Sequence, residues 1–312
     1  MKILFVGSGT FGLPTLEALR KSSHNVVGIV TQPLRPRGRG RKIKEQPIES
    51  RARELGLKVL APEKVNAPDS LAQIARLVPD VIVVAAYGAL LSKAFVASAR
   101  KECVNLHPSL LPKYRGAAPI VAAILAGEKE IGITLLRLSQ ELDAGDILLQ
   151  EKIPLGNDEN APDVTKHLAG IGAKLVIRAL DLIERGELTA SPQDHRLATY
   201  VPKLKKEDAR VDWSKKALEI HNQVRAYYEW PGSFTCVGDK ALKILKTHVA
   251  ADRADEKPEP GTVLEISRLE GIRVQAGEGS LFIERLQIEG GRPMDHRSFL
   301  NGHPLRAGFR FG

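Results

Sequence analysis

Short apolar runs at residues 3–6, 26–30, 81–85 and 104–106 alternate with segments of helical periodicity at 13–21, 48–55, 71–77 and 117–126. Runs this short read as strands buried on both faces. A parallel sheet demands such strands, because each crossover lays a helix against it. The alternation therefore predicts an α/β fold, a Rossmann-like and mostly parallel sheet with helices on both faces. Residues 131–138 and 147–153 read as two further strands, and 164–185 as a long amphipathic helix that closes the domain.

The first strand runs into Gly7-Ser8-Gly9-Thr10-Phe11-Gly12 and a helix. That spacing is the dinucleotide fingerprint, which also needs an acidic residue at the end of the second strand to hold ribose hydroxyls. Here the second strand ends Val30-Thr31-Gln32-Pro33, without one. The glycines are better explained by a tight turn and close helix–strand packing.

After residue 187 the text changes. A polar connector over 187–210 carries Pro192, Pro202 and the cluster Lys203, Lys205 and Lys206. Asp212-Trp213-Ser214 opens a helix over 217–228. Short alternating strands then follow at 234–237, 242–247, 261–266, 272–276 and 281–288, punctuated by glycine and proline. Their spacing suggests a small OB-like β-barrel. The expected organisation is a first domain over 1–189, a linker over 190–209 and a second domain over 210–312.

A chain of 312 residues is long enough for two cores. No run of about 18 apolar residues is present, so no membrane span is expected. The opening residues enter a strand directly, where a secretory signal would need a longer apolar core. Cys103 and Cys236 lie far apart without metal-ligand spacing, which fits a reducing cytoplasm and no metal site. Cys103 reads as a small apolar residue of a buried strand.

The net charge is +9, and its placement is uneven. Residues 31–53 hold eight basic residues, Arg35, Arg37, Arg39, Arg41, Lys42, Lys44, Arg51 and Arg53, against two acids, Glu45 and Glu49. A run of charge is most simply a solvated face. A run this concentrated, broken by Pro36, Gly38 and Gly40, also suits a loop that meets a polyanion, nucleic acid first.

Chemistry concentrates elsewhere. Val104-Asn105-Leu106-His107 alternates like a strand end, so Asn105 and His107 should share a face. Asp143 follows in Leu142-Asp143-Ala144-Gly145-Asp146. A carboxylate beside the imidazole would fix its tautomer or favour its charged form. An amide donor beside an imidazole suits a developing oxyanion, the equipment of acyl transfer. Each residue alone reads as readily as a turn or capping group.

The full string Asn105-Leu106-His107-Pro108-Ser109-Leu110-Leu111-Pro112, with Leu-Asp-Ala-Gly-Asp downstream, resembles the folate-dependent formyltransferases, whose active sites carry such an Asn, His and Asp. The resemblance makes Asn105, His107 and Asp143 catalytic. It assigns folate binding to Ser109, Leu110, Leu111 and Pro112, and to Tyr87, Gly88 and Leu90 of the segment Ala86-Tyr87-Gly88-Ala89-Leu90-Leu91. Tyr114-Arg115-Gly116 continues the pattern, and a cis bond between Leu111 and Pro112 is implied. Residues 31–42 look like the loop with which members acting on initiator methionyl-tRNA enter its acceptor arm. Leu34 stands where those members usually have Asp, and Arg37 where they have a small residue. Arg39 and Lys42 fall on the pattern.

Tyr200-Val201-Pro202-Lys203-Leu204, Asp212-Trp213, Arg225-Ala226, Trp230-Pro231-Gly232, Pro260-Gly261-Thr262-Val263 and Phe299-Leu300-Asn301-Gly302 extend the likeness over nearly the whole chain. It implies formyl transfer from 10-formyltetrahydrofolate to the α-amino group of initiator methionyl-tRNA, for translation initiation, by a monomeric cytoplasmic enzyme without a metal. Arg35, Arg37, Arg39, Arg41, Lys42, Lys203 and Lys206 would meet the tRNA. Other folate enzymes, which formylate glycinamide ribonucleotide or sugar nucleotides or hydrolyse the donor, share part of the pattern. An RNA-binding protein without turnover is the alternative of a different class.

Overall fold

A computed structural model describes residues 1–34, 45–251 and 258–312, and between 34 and 45 only the backbone of two short strands, Pro36–Arg37 and Lys42–Ile43. Arg35, Arg39 and Arg41, and the side chains of Arg37 and Lys42, lie outside the described residues. The chain divides into two compact units. The first takes in Met1–Pro119, Glu130–Ile153 and Thr165–Val201, and the second Ile120–Lys129, Pro154–Val164 and Pro202–Gly312.

The first unit is built on strands β1 (Lys2–Gly7), β2 (Asn25–Val30), β3 (Pro36–Arg37), β4 (Lys42–Ile43), β5 (Val59–Leu60), β6 (Val81–Ala85), β7 (Glu102–His107), β8 (Arg115–Gly116), β9 (Glu130–Arg137), β10 (Ile147–Pro154) and β11 (Tyr200–Val201). Seven of them form one sheet in the order β10-β9-β7-β6-β1-β2-β5. β1 pairs in parallel with β2 and β6, β2 with β5, and β6 with β7, while β9 runs antiparallel to β7. This is the mostly parallel α/β sheet expected from the alternation. The strand interiors are apolar because both faces are covered: Ile3, Leu4, Phe5 and Val6 are fully buried, as are Val81, Ile82 and Val83. Each such side chain contributes roughly 1.5–3 kcal/mol on burial.

Helices α1 (Leu13–Lys21), α2 (Pro47–Glu54) and α3 (Pro68–Ala75) each carry proline in the first turn, where its missing N–H costs nothing. α4 (Lys93–Val96) is a single turn capped by Ser92, whose hydroxyl accepts from the Phe95 amide. α5 is Pro119–Leu125 and α6 is Ala161–Arg185. The glycine turn after β1 is a packing device, as read from the sequence. A Cβ at Gly7 would stand 2.6 Å from the Ala85 carbonyl oxygen, and one at Gly12 would stand 2.9 Å from the Phe5 ring. Gly9 meets no such neighbour within 4 Å. Instead of a carboxylate, the end of β2 offers the Gln32 amide and the Thr31 hydroxyl, which donate to the Ser8 hydroxyl.

The second unit is an antiparallel sheet of β12 (Phe234–Val237), β13 (Lys240–Val249), β14 (Val263–Ser267), β15 (Gly271–Gln275), β16 (Ser280–Ile288) and β17 (Met294–Asp295). The order is β12-β13-β16-β15-β14, with β17 on β16. α7 (Ala217–Ala226) and α8 (His296–Gly302) belong to it, as do residues 120–125 of α5. Trp213, Ile220, Val224, Leu242, Ile283 and Phe299 belong to its core. No closed barrel forms among the described residues, because β12 and β14 do not pair. Residues 308–312 cover both free edges instead. The Val263 amide donates to the Phe309 carbonyl at 2.7 Å, and Gly308 N–H donates to the Val263 carbonyl at 2.8 Å. The Cys236 and Gly312 amides exchange bonds with each other's carbonyls at 3.1 and 3.3 Å. An edge strand so covered no longer offers free backbone groups to another chain.

Candidate active site

The strand order reverses between β1 and β6, whose neighbours lead away in opposite directions. Ligands of open parallel sheets bind beyond the C-terminal strand ends near such a reversal. The residues there are Ser8 after β1, Thr31 and Gln32 after β2, Tyr87 and Gly88 after β6, and Asn105 and His107 at the end of β7.

Asn105, His107 and Asp143 come together. The Asn105 amide nitrogen lies 3.5 Å from Asp143 Oδ1, and His107 Nδ1 lies 3.6 Å from Asp143 Oδ2. Both are long contacts, weaker than a full hydrogen bond. The strong partner of the carboxylate is the Gly116 backbone N–H, which donates to Oδ2 at 2.9 Å. The side chains of His107 and Asp143 are only 6% and 11% exposed. Asp143 itself is left-handed, with φ of 50°, a conformation that Asp tolerates better than most residues.

The Tyr114 carbonyl oxygen is 2.9 Å from His107 Nε2 and can only accept. Nε2 is therefore the donor, and in the neutral ring the lone pair sits on Nδ1, facing Asp143. The nitrogen that can take a proton is the one beside the carboxylate.

The Asp143 loop hangs from β9. At the end of that strand, Arg137 holds Glu102 at 2.7 Å and Asp146 at 3.2 Å. Only glycine fits at position 145, where a Cβ would lie 1.8 Å from the Arg137 carbonyl oxygen.

The Ser109–Pro112 segment is fixed by bonds that the sequence did not announce. The Thr134 hydroxyl donates to the Ser109 carbonyl at 2.6 Å and accepts from the Leu111 amide at 3.2 Å. The Gln150 amide donates to the Leu111 carbonyl at 3.1 Å. Ser109 is buried, with its hydroxyl donating to the Lys113 carbonyl at 2.8 Å. Leu110 packs over Gly132, where a Cβ would come within 2.3 Å of its Cδ2. The Leu111–Pro112 bond is cis, as expected; Trp230–Pro231 is also cis and was not foreseen.

Tyr87 is a core residue, packed with Leu4, Val6, Val30 and Val84, and burial pushes its phenol up to about 12. Its carbonyl accepts from Gln32 Nε2 at 3.3 Å. Gly88 and Leu90 are exposed. The surface this segment can offer a flat ring is therefore the stretch after Tyr87, not its ring. Lys203 and Lys206 are exposed in the second unit. Cys103 is buried in β7, and burial pushes its thiol up to about 12, which fits an inert packing role.

Two residues that the sequence reading did not single out for the site stand behind Asp143. Arg115, within the Tyr114-Arg115-Gly116 string, is fully buried. Gln193, placed in the polar connector, is also buried, and its amide nitrogen donates to the Asp143 carbonyl at 2.8 Å. A polar residue in a connector carries no pattern that would have marked it.

Among the described residues no group of three or more His, Cys, Asp or Glu is placed to hold a metal ion. No helix among them is long and apolar enough to cross a membrane.

Comparison with known proteins identifies the family. Residues 1–180 match the formyl transferase family and residues 203–304 match the formyl transferase C-terminal domain. The methionyl-tRNA formyltransferase of Geobacter sulfurreducens is 41% identical over all of this chain and 97% of its own length. That of Sorangium cellulosum is 41% identical over the whole of both chains. Among solved structures, WlaRD, a sugar 3N-formyl transferase in the presence of dTDP and 5-N-formyl-THF, superposes with a TM-score of 0.67. It shares 17% identity over 90% of this chain and 96% of that one. HypX from Aquifex aeolicus in complex with tetrahydrofolic acid gives a TM-score of 0.62 at 20% identity, and all of this chain spans 50% of that longer one. These two likenesses concern the fold. The full-length relatives and the two matched domains decide the family: this chain is a member of the formyl transferases, on the methionyl-tRNA formyltransferase branch.

Proposed function

We propose that this chain transfers a formyl group from 10-formyltetrahydrofolate to the α-amino group of initiator methionyl-tRNA, the formylation that precedes translation initiation. The observation that carries the reading is the meeting of Asn105, His107 and Asp143, with contacts of 3.5 and 3.6 Å, at the C-terminal end of β7. The donor supplies an activated formyl carbon; everything else falls to side chains.

As the neutral amine adds to that carbon, negative charge collects on the formyl oxygen. Asn105 has a second amide hydrogen to offer it, and a protonated His107 Nδ1 can donate to it as well. Asp143 takes the proton that the amine sheds, directly or through a water. Collapse of the tetrahedral adduct then breaks the bond from the formyl carbon to N10 of the donor, and the proton passes from Asp143 to that nitrogen as tetrahydrofolate leaves. Gly116 N–H keeps one carboxylate oxygen fixed, which leaves Oδ1 the freer acceptor.

Ser109, Leu110, Leu111 and Pro112, with Tyr87, Gly88 and Leu90, form the folate side of this reading, Tyr87 through its backbone and the core beneath it. Residues 1–189 act as the catalytic domain, 190–209 as the linker, and 210–312 as an open, OB-like sheet that lies along the tRNA. Arg35, Arg37, Arg39, Arg41, Lys42, Lys203 and Lys206 meet its phosphates. The enzyme works as a monomer in the cytoplasm.

Turnover with methionylated initiator tRNA, uncharged tRNA and amino-sugar nucleotides, each with the same folate donor, tests the reading. Formylation of the charged tRNA alone is the expected result. A preference for the sugar nucleotide would overturn it.

A further inference from the structure

We infer that Gln193, locked in orientation by the buried Arg115, is a positioning residue that holds Asp143 in register with His107. The inference rests on the proposed role of Asp143 in formyl transfer.

The geometry is a closed circuit. Gln193 Nε2 spends its two hydrogens on two carbonyls of the same loop, Asp143 at 2.8 Å and Gly145 at 2.7 Å. Gln193 Oε1 accepts from Arg115 Nε at 3.2 Å and from Arg115 Nη2 at 2.7 Å. That two-pronged contact removes the ambiguity of an amide, because the oxygen must face the guanidinium and the nitrogen must face the loop. The next residue, Gly116, donates its N–H to the Asp143 carboxylate at 2.9 Å. Adjacent residues of β8 thus hold Asp143 twice, Gly116 by the side chain and Arg115, through Gln193, by the main chain.

Each link explains an otherwise costly feature. Asp143 adopts φ of 50°, and bonds to its own carbonyl and to that of Gly145 hold the turn there. Arg115 is fully buried, yet among the described residues the groups that meet its guanidinium are neutral: Gln193, the Tyr200 hydroxyl at 3.0 Å, and the Tyr200 ring with its centroid at 5.7 Å. A glutamate at 193 would pair with that charge more strongly, but it has no hydrogen to give the two carbonyls. Glutamine satisfies both sides at once, so the loop, rather than the arginine, explains the residue type.

Gly116 also provides a readout. Its amide is held by the Asp143 carboxylate, whereas its neighbours Arg115 and Ala117 donate to the Thr199 and Val201 carbonyls. Amide exchange at Gly116 therefore reports on Asp143, with two internal controls beside it.

The test is Gln193→Glu in the full chain, which keeps the contact with Arg115 and removes both donors. The expected result is a roughly ten- to hundredfold lower kcat, with KM for folate donor and charged tRNA within about twofold of wild type. Gly116 exchange should quicken about tenfold while Arg115 and Ala117 stay unchanged. Wild-type exchange at Gly116 would overturn the inference, and so would equal quickening of all three amides, which marks general loosening. Faster Gly116 exchange at wild-type kcat would leave Gln193 holding the loop but remove Asp143 from the chemistry, a failure of the proposed function instead. If Gln193→Glu does not fold, Tyr200→Phe trims the circuit at an exposed residue. Gly116 exchange two- to fivefold faster supports the inference there, and unchanged exchange overturns it.

Discussion

Two clusters of buried polar side chains, one in each unit, are held in different ways. In the second unit, His221 and Arg225 are consumed by the scaffold. His221 bonds through Nδ1 with the Thr247 hydroxyl and donates from Nε2 to the Asn157 carbonyl, both at 3.0 Å. Arg225 donates to Asn222 and to the Gly156 carbonyl, also at 3.0 Å. In the first, Asn105, His107 and Asp143 are brought close but left short of full bonds with one another, as the 3.5 and 3.6 Å contacts of Asp143 show. Fully satisfied networks rigidify a core. Groups held near one another with bonding capacity to spare can still receive a substrate. On the proposed function, buried His and Asn serve stability in one sheet and chemistry in the other, and variants should separate the two.

The largest effect is expected in the second unit. Phe299 is fully buried in its core, and Phe299→Ala should cost about 3–5 kcal/mol of stability by chemical denaturation. A loss below about 1 kcal/mol would mean that this core is not what holds the sheet. The counterpart in the first unit is His107→Ala. Its turnover should drop at least about a hundredfold, the scale of an acid–base group, or about 2.7 kcal/mol. Its unfolding midpoint should fall much less than that of Phe299→Ala. Near-normal turnover would move His107 into the class of His221.

A smaller effect follows from the burial of His221. Burial pushes its imidazole below the usual value of 6.5, against the bonds from Asn157 and Thr247 that favour the charged ring. The unfolded chain then takes the proton more readily than the folded one. The stability from burying it neutral is full above pH about 6.5 and declines as pH falls through that value toward the folded pKa. Stability of wild type should fall between pH 7.5 and 5.5 by up to about 1.4 kcal/mol per pH unit more than that of His221→Gln. Parallel curves would show that the histidine does not titrate between the two states. The smallest effect belongs to the basic stretch. Replacing Arg39 and Lys42 together by Ala should flatten the salt dependence of apparent tRNA affinity by about one to two units in log–log slope, leaving folate affinity unchanged. An unaltered slope would make the stretch a solvated face.

How much of this was legible varies with the physics involved. The parallel sheet was, because strands like 81–85 must be apolar throughout when both faces are covered. β5 was not, since two residues at 59–60 are too few to show a period. The C-terminal strands were read close to their bounds, yet their closure was not. Periodicity reports which face is buried, not what covers an edge, and here residues 308–312 do that. In the site, Asn105 and His107 follow from strand alternation, and the resemblance adds Asp143. The Gly116 amide, the Tyr114 carbonyl and Gln193 left no mark, because a backbone group has no letter and a buried glutamine in a connector looks like a solvated one. Tyr87 shows the reverse case, a residue assigned to a binding surface whose ring is drawn into the core by its bulk.

The central claim is that the carboxylate of Asp143 serves formyl transfer to a charged initiator tRNA. Asp143→Asn keeps the shape and the bond from Gly116 but removes the charge that accepts a proton. Initial rates of formylation of methionyl initiator tRNA from 10-formyltetrahydrofolate, for wild type and Asp143→Asn at equal folded fraction, measure this directly. The account predicts rapid transfer by wild type and a rate at least about a hundredfold lower in the variant, with unfolding midpoints alike. Equal rates in the two proteins would contradict it.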